Sequence, residues 1–127
     1  MADSDNRVVL HVAAEQCNER IVRASLSLGA EVDVARHTSG DTPLIVAASF
    51  GFTDIMAVLM EAQADVDHQT SRGETALHVV AKQVTAQQGT IPSLVEAGAT
   101  VNVVSRVGTS PLWEAVLHRR AFNVEVL

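Results

Sequence analysis

The chain has 127 residues, the length of one ordinary domain, and carries 9 Lys and Arg against 15 Asp and Glu for a formal charge of −6. It is 47% hydrophobic, 3% aromatic and 19% charged, a balance that excludes disorder, while the acidic sum speaks against a general binder of phosphate backbones. One cysteine, Cys17, forms no internal disulfide, the Met-Ala-Asp-Ser-Asp start lacks the basic and apolar regions of a signal peptide, and no run approaches ~18 uninterrupted apolar residues. The expectation is an intracellular protein, cytoplasmic or nuclear, with neither nucleic acid nor membrane as partner.

In chain order, the first helix opens on Leu10-His11-Val12-Ala13-Ala14, and Cys17 falls near its end, where a small semi-buried thiol suits the corner. After a second helix, Gly29-Ala30-Glu31-Val32-Asp33 marks a turn, with Gly29 at a helix end that calls for a left-handed residue. Next comes Gly40-Asp41-Thr42-Pro43-Leu44. Thr42 suits an N-cap, and Pro43 at the first helical position loses no hydrogen bond because that amide would be an orphan anyway. Leu44, Ala47 and Ala48 share one helix face, Gly51 breaks the helix, and Thr53 or Asp54 caps the next, whose buried stripe is Ile55, Val58 and Leu59. Gln63 then stands where Gly29 stood, so the spacing predicts a strained left-handed residue.

The third unit opens on Gly73-Glu74-Thr75-Ala76-Leu77 and reaches Gly98 after 21 residues from Leu77, whereas Leu10 to Gly29 and Leu44 to Gln63 each take 19. Two extra residues within Val84 to Gly89 therefore lengthen the turn between helices, with Pro92 in the first turn of the following helix. The fourth unit opens on Gly108-Thr109-Ser110-Pro111-Leu112, and Trp113, Ala115, Val116, Phe122, Val124, Val126 and Leu127 carry the apolar pattern to the last residue.

The glycines Gly40, Gly73 and Gly108 thus recur at steps of 33 and 35 residues, and a second motif keeps the same phase through Gly29-Ala30-Glu31-Val32-Asp33, Gln63-Ala64-Asp65-Val66-Asp67 and Gly98-Ala99-Thr100-Val101-Asn102. These residues resemble the ankyrin repeat, a unit of a β-turn and two antiparallel helices. The resemblance implies an all-α solenoid, one domain over residues 1–127, with repeats at 3–36, 37–69, 70–104 and an incomplete 105–127.

Little in the chain suggests catalysis. His11, His37, His68, His78 and His118 form no i, i+3 or i, i+4 pair, so the helical metal motif is missing, and neither a phosphate loop nor a dinucleotide fingerprint occurs. No catalytic residue, metal ligand or cofactor is therefore assigned. The resemblance makes His11 and His78 structural, tying turn to helix. Asp33, Asp65 and Asp67 recur with the turn motif, as repeat-wide hydrogen-bond acceptors would.

The resemblance instead implies a protein-binding surface on the turn tips and the ends of the first helices. The positions are Thr38, Ser39, Asp41, Ser49 and Phe50 in repeat two, Ser71, Arg72, Glu74, Lys82 and Gln83 in repeat three, and Arg106, Val107, Thr109, Leu117 and His118 in repeat four. Phe50, with Phe52 close by, is either an interface anchor or a packing residue of the inter-helix turn. Net charge is −3 over residues 1–42, −4 over 43–105 and +1 over 106–127, which would steer a basic partner to the first three repeats. The expected function is a non-catalytic interaction module or adaptor within a larger protein. The alternatives are a small inhibitor of an enzyme such as a kinase, and a scaffold element that self-associates end to end through repeat four.

Overall fold

A computed structural model describes residues 9–36, 38–81, 94–111 and 113. The lengthened turn of repeat three with Pro92, the start of repeat one, His37, and the apolar tail of repeat four beyond Trp113 lie outside the described residues. The labelled helices are α1 (Val9–Glu15), α2 (Glu19–Ser27), α3 (Pro43–Phe50), α4 (Thr53–Glu61) and α5 (Ala76–Ala81). They form two layers. α1, α3 and α5 pack side by side, while α2 and α4 form the layer behind, each against its own first helix and against the other.

Local chemistry sets the helix ends. Asn18 caps α2 through a side-chain oxygen that accepts from the Ile21 amide at 3.2 Å, and Thr42 caps α3 through Oγ1, accepting from the Ile45 amide at 3.4 Å. α4 departs from the sequence expectation: it starts at Thr53 with Phe52 in the cap position and no side-chain cap bond. Helices end in a recurring reverse bond, donated by Asn18 to the Ala13 carbonyl, by Phe52 to Ala47, by Ala30 to Ser25, by Ala64 to Leu59 and by Ala99 to Leu94, all between 2.9 and 3.1 Å.

This closure forces the preceding residue into the left-handed region. Glycine fills it at Gly51 (φ 73°), but Gln63 takes φ 67° and Cys17 takes φ 54°. Cys17 thus occupies the corner that the sequence assigned to it, but its side chain is exposed rather than semi-buried.

The core is a row of aliphatic contacts between units. Leu10, Leu44 and Leu77 hold the same place in successive repeats and are each at most 1% exposed, burial worth roughly 1.5–3 kcal/mol per side chain. α3 is buried on more than the one face that its spacing suggests. Ile45 and Val46 are buried along with Leu44, Ala47 and Ala48, because α1 and α5 flank α3 while α4 backs it. In α4, Met56 joins the stripe of Ile55, Val58 and Leu59.

Between the units lie tight fingers. The first closes through Arg36 N–H to the Asp41 carbonyl and Gly40 N–H to the Arg36 carbonyl, both 2.9 Å. The next fingers close equivalently, Thr70 N–H to Glu74 at 2.9 Å and Ser105 N–H to Thr109 at 2.8 Å. Neighbouring fingers are joined by main-chain bonds: Ser71 N–H donates to the Ser39 carbonyl at 3.0 Å, and Arg106 N–H to the Arg72 carbonyl at 2.9 Å. Gly40 and Gly73 make that approach feasible. Both have positive φ, and a Cβ would meet Ser71 N at 3.0 Å from Gly40 and Arg106 N at 2.9 Å from Gly73.

Candidate protein-binding surface

The side chains that could have supplied chemistry are engaged in holding the fingers. His78 Nδ1 accepts from the Thr75 amide at 3.1 Å, which puts the hydrogen on Nε2, and Nε2 donates to the Thr109 carbonyl at 2.9 Å. His11 repeats only the second of these bonds between the first two repeats, with Nε2 donating to the Asp41 carbonyl at 2.8 Å, while its buried Nδ1 has no partner among the described residues. Burial is the main cause that holds the His11 imidazole below its ordinary pKa, and Arg36 adds to it; the Asp41 carbonyl opposes both. His68 contributes a tie that the sequence reading missed, its Nε2 bonding to the Gly40 carbonyl at 2.9 Å. It recurs in no other unit, so periodicity could not reveal it.

The turn carboxylates also bond from one repeat to the next. Asp33 Oδ1 accepts from the Asp65 amide at 2.8 Å, and Asp67 accepts from the Thr100 amide at 2.7 Å and from the Thr100 hydroxyl at 2.9 Å. Asp65 Oδ1 in turn accepts from the Asp67 amide at 3.0 Å. Among the described residues no group of three or more His, Cys, Asp or Glu could hold a metal ion, and no helix is long and apolar enough to cross a membrane.

What the fingers leave outward is a discontinuous strip. Thr38, Ser71, Arg72, Arg106 and Val107 are exposed, with Val107 at 82%. Ser39, Asp41 and Thr109 are half-buried and turn polar atoms inward: Ser39 Oγ accepts from the Asp41 amide at 3.3 Å, and Thr109 Oγ1 lies 2.8 Å from Ser105 Oγ. Glu74 departs further from the expected surface, since it is only 8% exposed and packs within the finger. Lys82, Gln83, Leu117 and His118 lie outside the described residues.

Ser49 and Phe50 form a second cluster at the far end of α3, on the order of 10 Å along the helix from the fingers. Ser49 Oγ donates to the Val46 carbonyl at 2.8 Å. Phe50 is 55% exposed and stacks on Phe52, with ring centroids 5.4 Å apart and planes at 17°. Phe52 packs against the core, while Phe50 offers its outer face to solvent.

Charge divides by layer as well as along the chain. Glu19, Asp54, Glu61 and Glu96 are carried by α2, α4 and the helical turn at 94–96 beside Arg20 and Arg23, of which Arg23 pairs with Glu19 at 2.9 Å and Glu61 at 3.9 Å. Arg36 pairs with Glu15 of α1. On the fingers, the exposed charges among the described residues are Arg72 and Arg106.

With stacked helix pairs, fingers and period in place, comparison with known proteins is direct. The ankyrin-repeat family, in 3 copies, matches residues 10–105, and the chain belongs to that family, whose repeats are protein-interaction units and are generally not enzymes. The chain is 36% identical over 94 residues to the BTB/POZ domain and ankyrin repeat-containing protein NPR5 of Oryza sativa subsp. japonica, covering 71% of this chain and 18% of that protein. It is 35% identical over 94 residues to the regulatory protein NPR5 of Arabidopsis thaliana, covering 71% and 19%. A third relative, the BTB/POZ domain and ankyrin repeat-containing protein NOOT1 of Medicago truncatula, is 34% identical over 94 residues, covering 71% and 19%. The chain therefore spans less than a fifth of the length of these curated relatives.

Proposed function

We propose that the chain is a non-catalytic adaptor module that holds a protein partner against its finger tips and the exposed ends of its first helices, and that it works as the recognition unit of a larger regulatory protein. The observation that carries the reading is the main-chain ladder from Ser39 to Ser71 and from Arg72 to Arg106, which fixes the fingers without using their tip side chains. Tips ordered before binding lose little conformational entropy on docking, so modest contacts suffice for useful affinity. The engaged states of His11, His78, Asp33 and Asp67 support a role other than acid-base chemistry. Relatives described as regulatory proteins and as carriers of a BTB/POZ domain support placing the module beside other domains.

The test is affinity capture of partners with the wild-type chain, followed by the single change Phe50→Ala and the paired change Arg72→Ala with Lys82→Ala. Loss of a specific partner in either variant, with an unchanged circular dichroism spectrum, supports the reading. Partners that bind both variants as well as wild type move the site off this face.

A further inference from the structure

We propose that Arg72 and Arg106 form a paired cationic clamp for an extended acidic segment of a protein partner, one whose carboxylates stand at alternate residues. The inference rests on the reading of the fingers as a protein-binding face and adds the chemistry of what they hold.

Three observations point to it. First, the two arginines are tied together. Arg106 N–H donates to the Arg72 carbonyl at 2.9 Å, and the intervening Gly73 leaves no slack, since a Cβ there would sit 2.9 Å from Arg106 N. A main-chain bond of that kind sets the two Cα atoms about 5 Å apart, as on neighbouring strands. Two cations emerging from backbones this close repel each other in the free protein, and carboxylates bound to them relieve the repulsion.

Second, both side chains are exposed and neither makes an ion pair among the described residues, in contrast to Arg23 and Arg36; Arg20 on α2 is likewise exposed and unpaired there but stands without a neighbouring arginine held to it by a main-chain bond. Third, the carboxylates of the same fingers do not compete for them, because Asp41 is half-buried and Glu74 is packed inside. The acidic excess that gives the chain its charge of −6 lies elsewhere, in good part on the outer helices and the turns that follow them.

The guanidinium fork takes a carboxylate through two parallel bonds. Alternate residues of an extended peptide lie about 7 Å apart on one side, which suits two forks that diverge from neighbouring backbones. Val107, next to Arg106 and largely exposed, offers an apolar contact beside the charges. The overall negative charge repels a broadly acidic surface, so the clamp favours a short acidic stretch that reaches the finger tips alone.

The experiment uses the whole chain and a fluorescein-labelled peptide of alternating Glu and Ser, read by anisotropy. The expected results are saturable binding that weakens with added NaCl, no comparable binding of an alternating Gln and Ser peptide, and at least a tenfold loss in the double variant Arg72→Glu, Arg106→Glu. The double lysine variant keeps part of the affinity, because charge survives and the fork does not. Unchanged melting of the variants shows that the fold is intact. Equal affinity of the Glu and Gln peptides, an unaffected charge-reversal variant, or displacement of the peptide by a lower concentration of a single-stranded oligonucleotide would each overturn the proposal. A captured partner that depends on Phe50 and is indifferent to both arginines also overturns it, while leaving the adaptor reading in place.

Discussion

His78 joins two repeats through one ring: Nδ1 accepts from the Thr75 amide of its own unit at 3.1 Å, and Nε2 donates to the Thr109 carbonyl of the next at 2.9 Å. The ring is fully buried, so its removal leaves polar atoms without a partner. His78→Ala is expected to cost about 1–3 kcal/mol in urea unfolding. His78→Gln, which can donate to Thr109, should lose less. Equal losses for the two variants would show that packing and not the bridge is what the ring supplies.

His11 gives the chain a pH dependence. Its pKa is lowered in the fold, chiefly by burial, so the unfolded chain takes up the proton first as pH falls. The stability tied to its neutral form is present above the ordinary imidazole value of 6.5 and is lost as pH falls through the lowered folded value. The urea midpoint should therefore drop as pH falls through 6.5 and below, and His11→Gln should flatten that drop. An identical slope in the variant would assign the dependence to other groups.

Gln63 sits at φ 67°, a conformation that glycine adopts without penalty. Gln63→Gly is expected to stabilise the chain by up to about 1 kcal/mol, the strain relieved less the extra freedom glycine has when unfolded. A lower urea midpoint would mean that unfolded-state entropy outweighs the strain. Cys17→Gly, at φ 54°, is the companion case.

Gly73 and Gly108 separate two costs. Both have positive φ, at 77° and 87°, but a Cβ at Gly73 meets the Arg106 amide whereas at Gly108 nothing lies within 4 Å among the described residues. Gly108→Ala should cost about 1–2 kcal/mol from the backbone alone, and Gly73→Ala should cost more because the neighbouring finger must move. Equal costs by denaturant titration would show that the finger contact yields freely.

Phe50 and Phe52 should differ in kind. Phe52 packs against the core, so Phe52→Ala is expected to destabilise by about 2 kcal/mol or more, whereas Phe50→Ala at a half-exposed site should cost under about 1 kcal/mol. The reverse order in thermal melts would make Phe50 a packing residue and remove the case for it as an anchor.

The architecture was legible in the sequence because each repeat must present the same backbone to its neighbour, which writes Gly40, Gly73 and Gly108 into a period. Thr42, Gly51 and Gln63 were legible for a local reason, as caps and helix ends. Residues that depend on what lies across an interface were not. Glu74 resembles any polar tip residue until the finger folds over it, and Ile45 and Val46 look half-exposed until α1 and α5 are set on either side of α3. His68 belongs with these, a bridge peculiar to one unit and invisible to a search for recurrence.

The ladder between fingers has one more consequence. Its donors and acceptors are amides and carbonyls, common to nearly every amino acid, so the tips at Thr38, Ser71, Arg72 and Val107 can be rewritten without dismantling the row. If the tips are the binding face proposed above, stability and selectivity are encoded in different atoms, and a lineage can change what it recognises by substitutions that folding hardly registers.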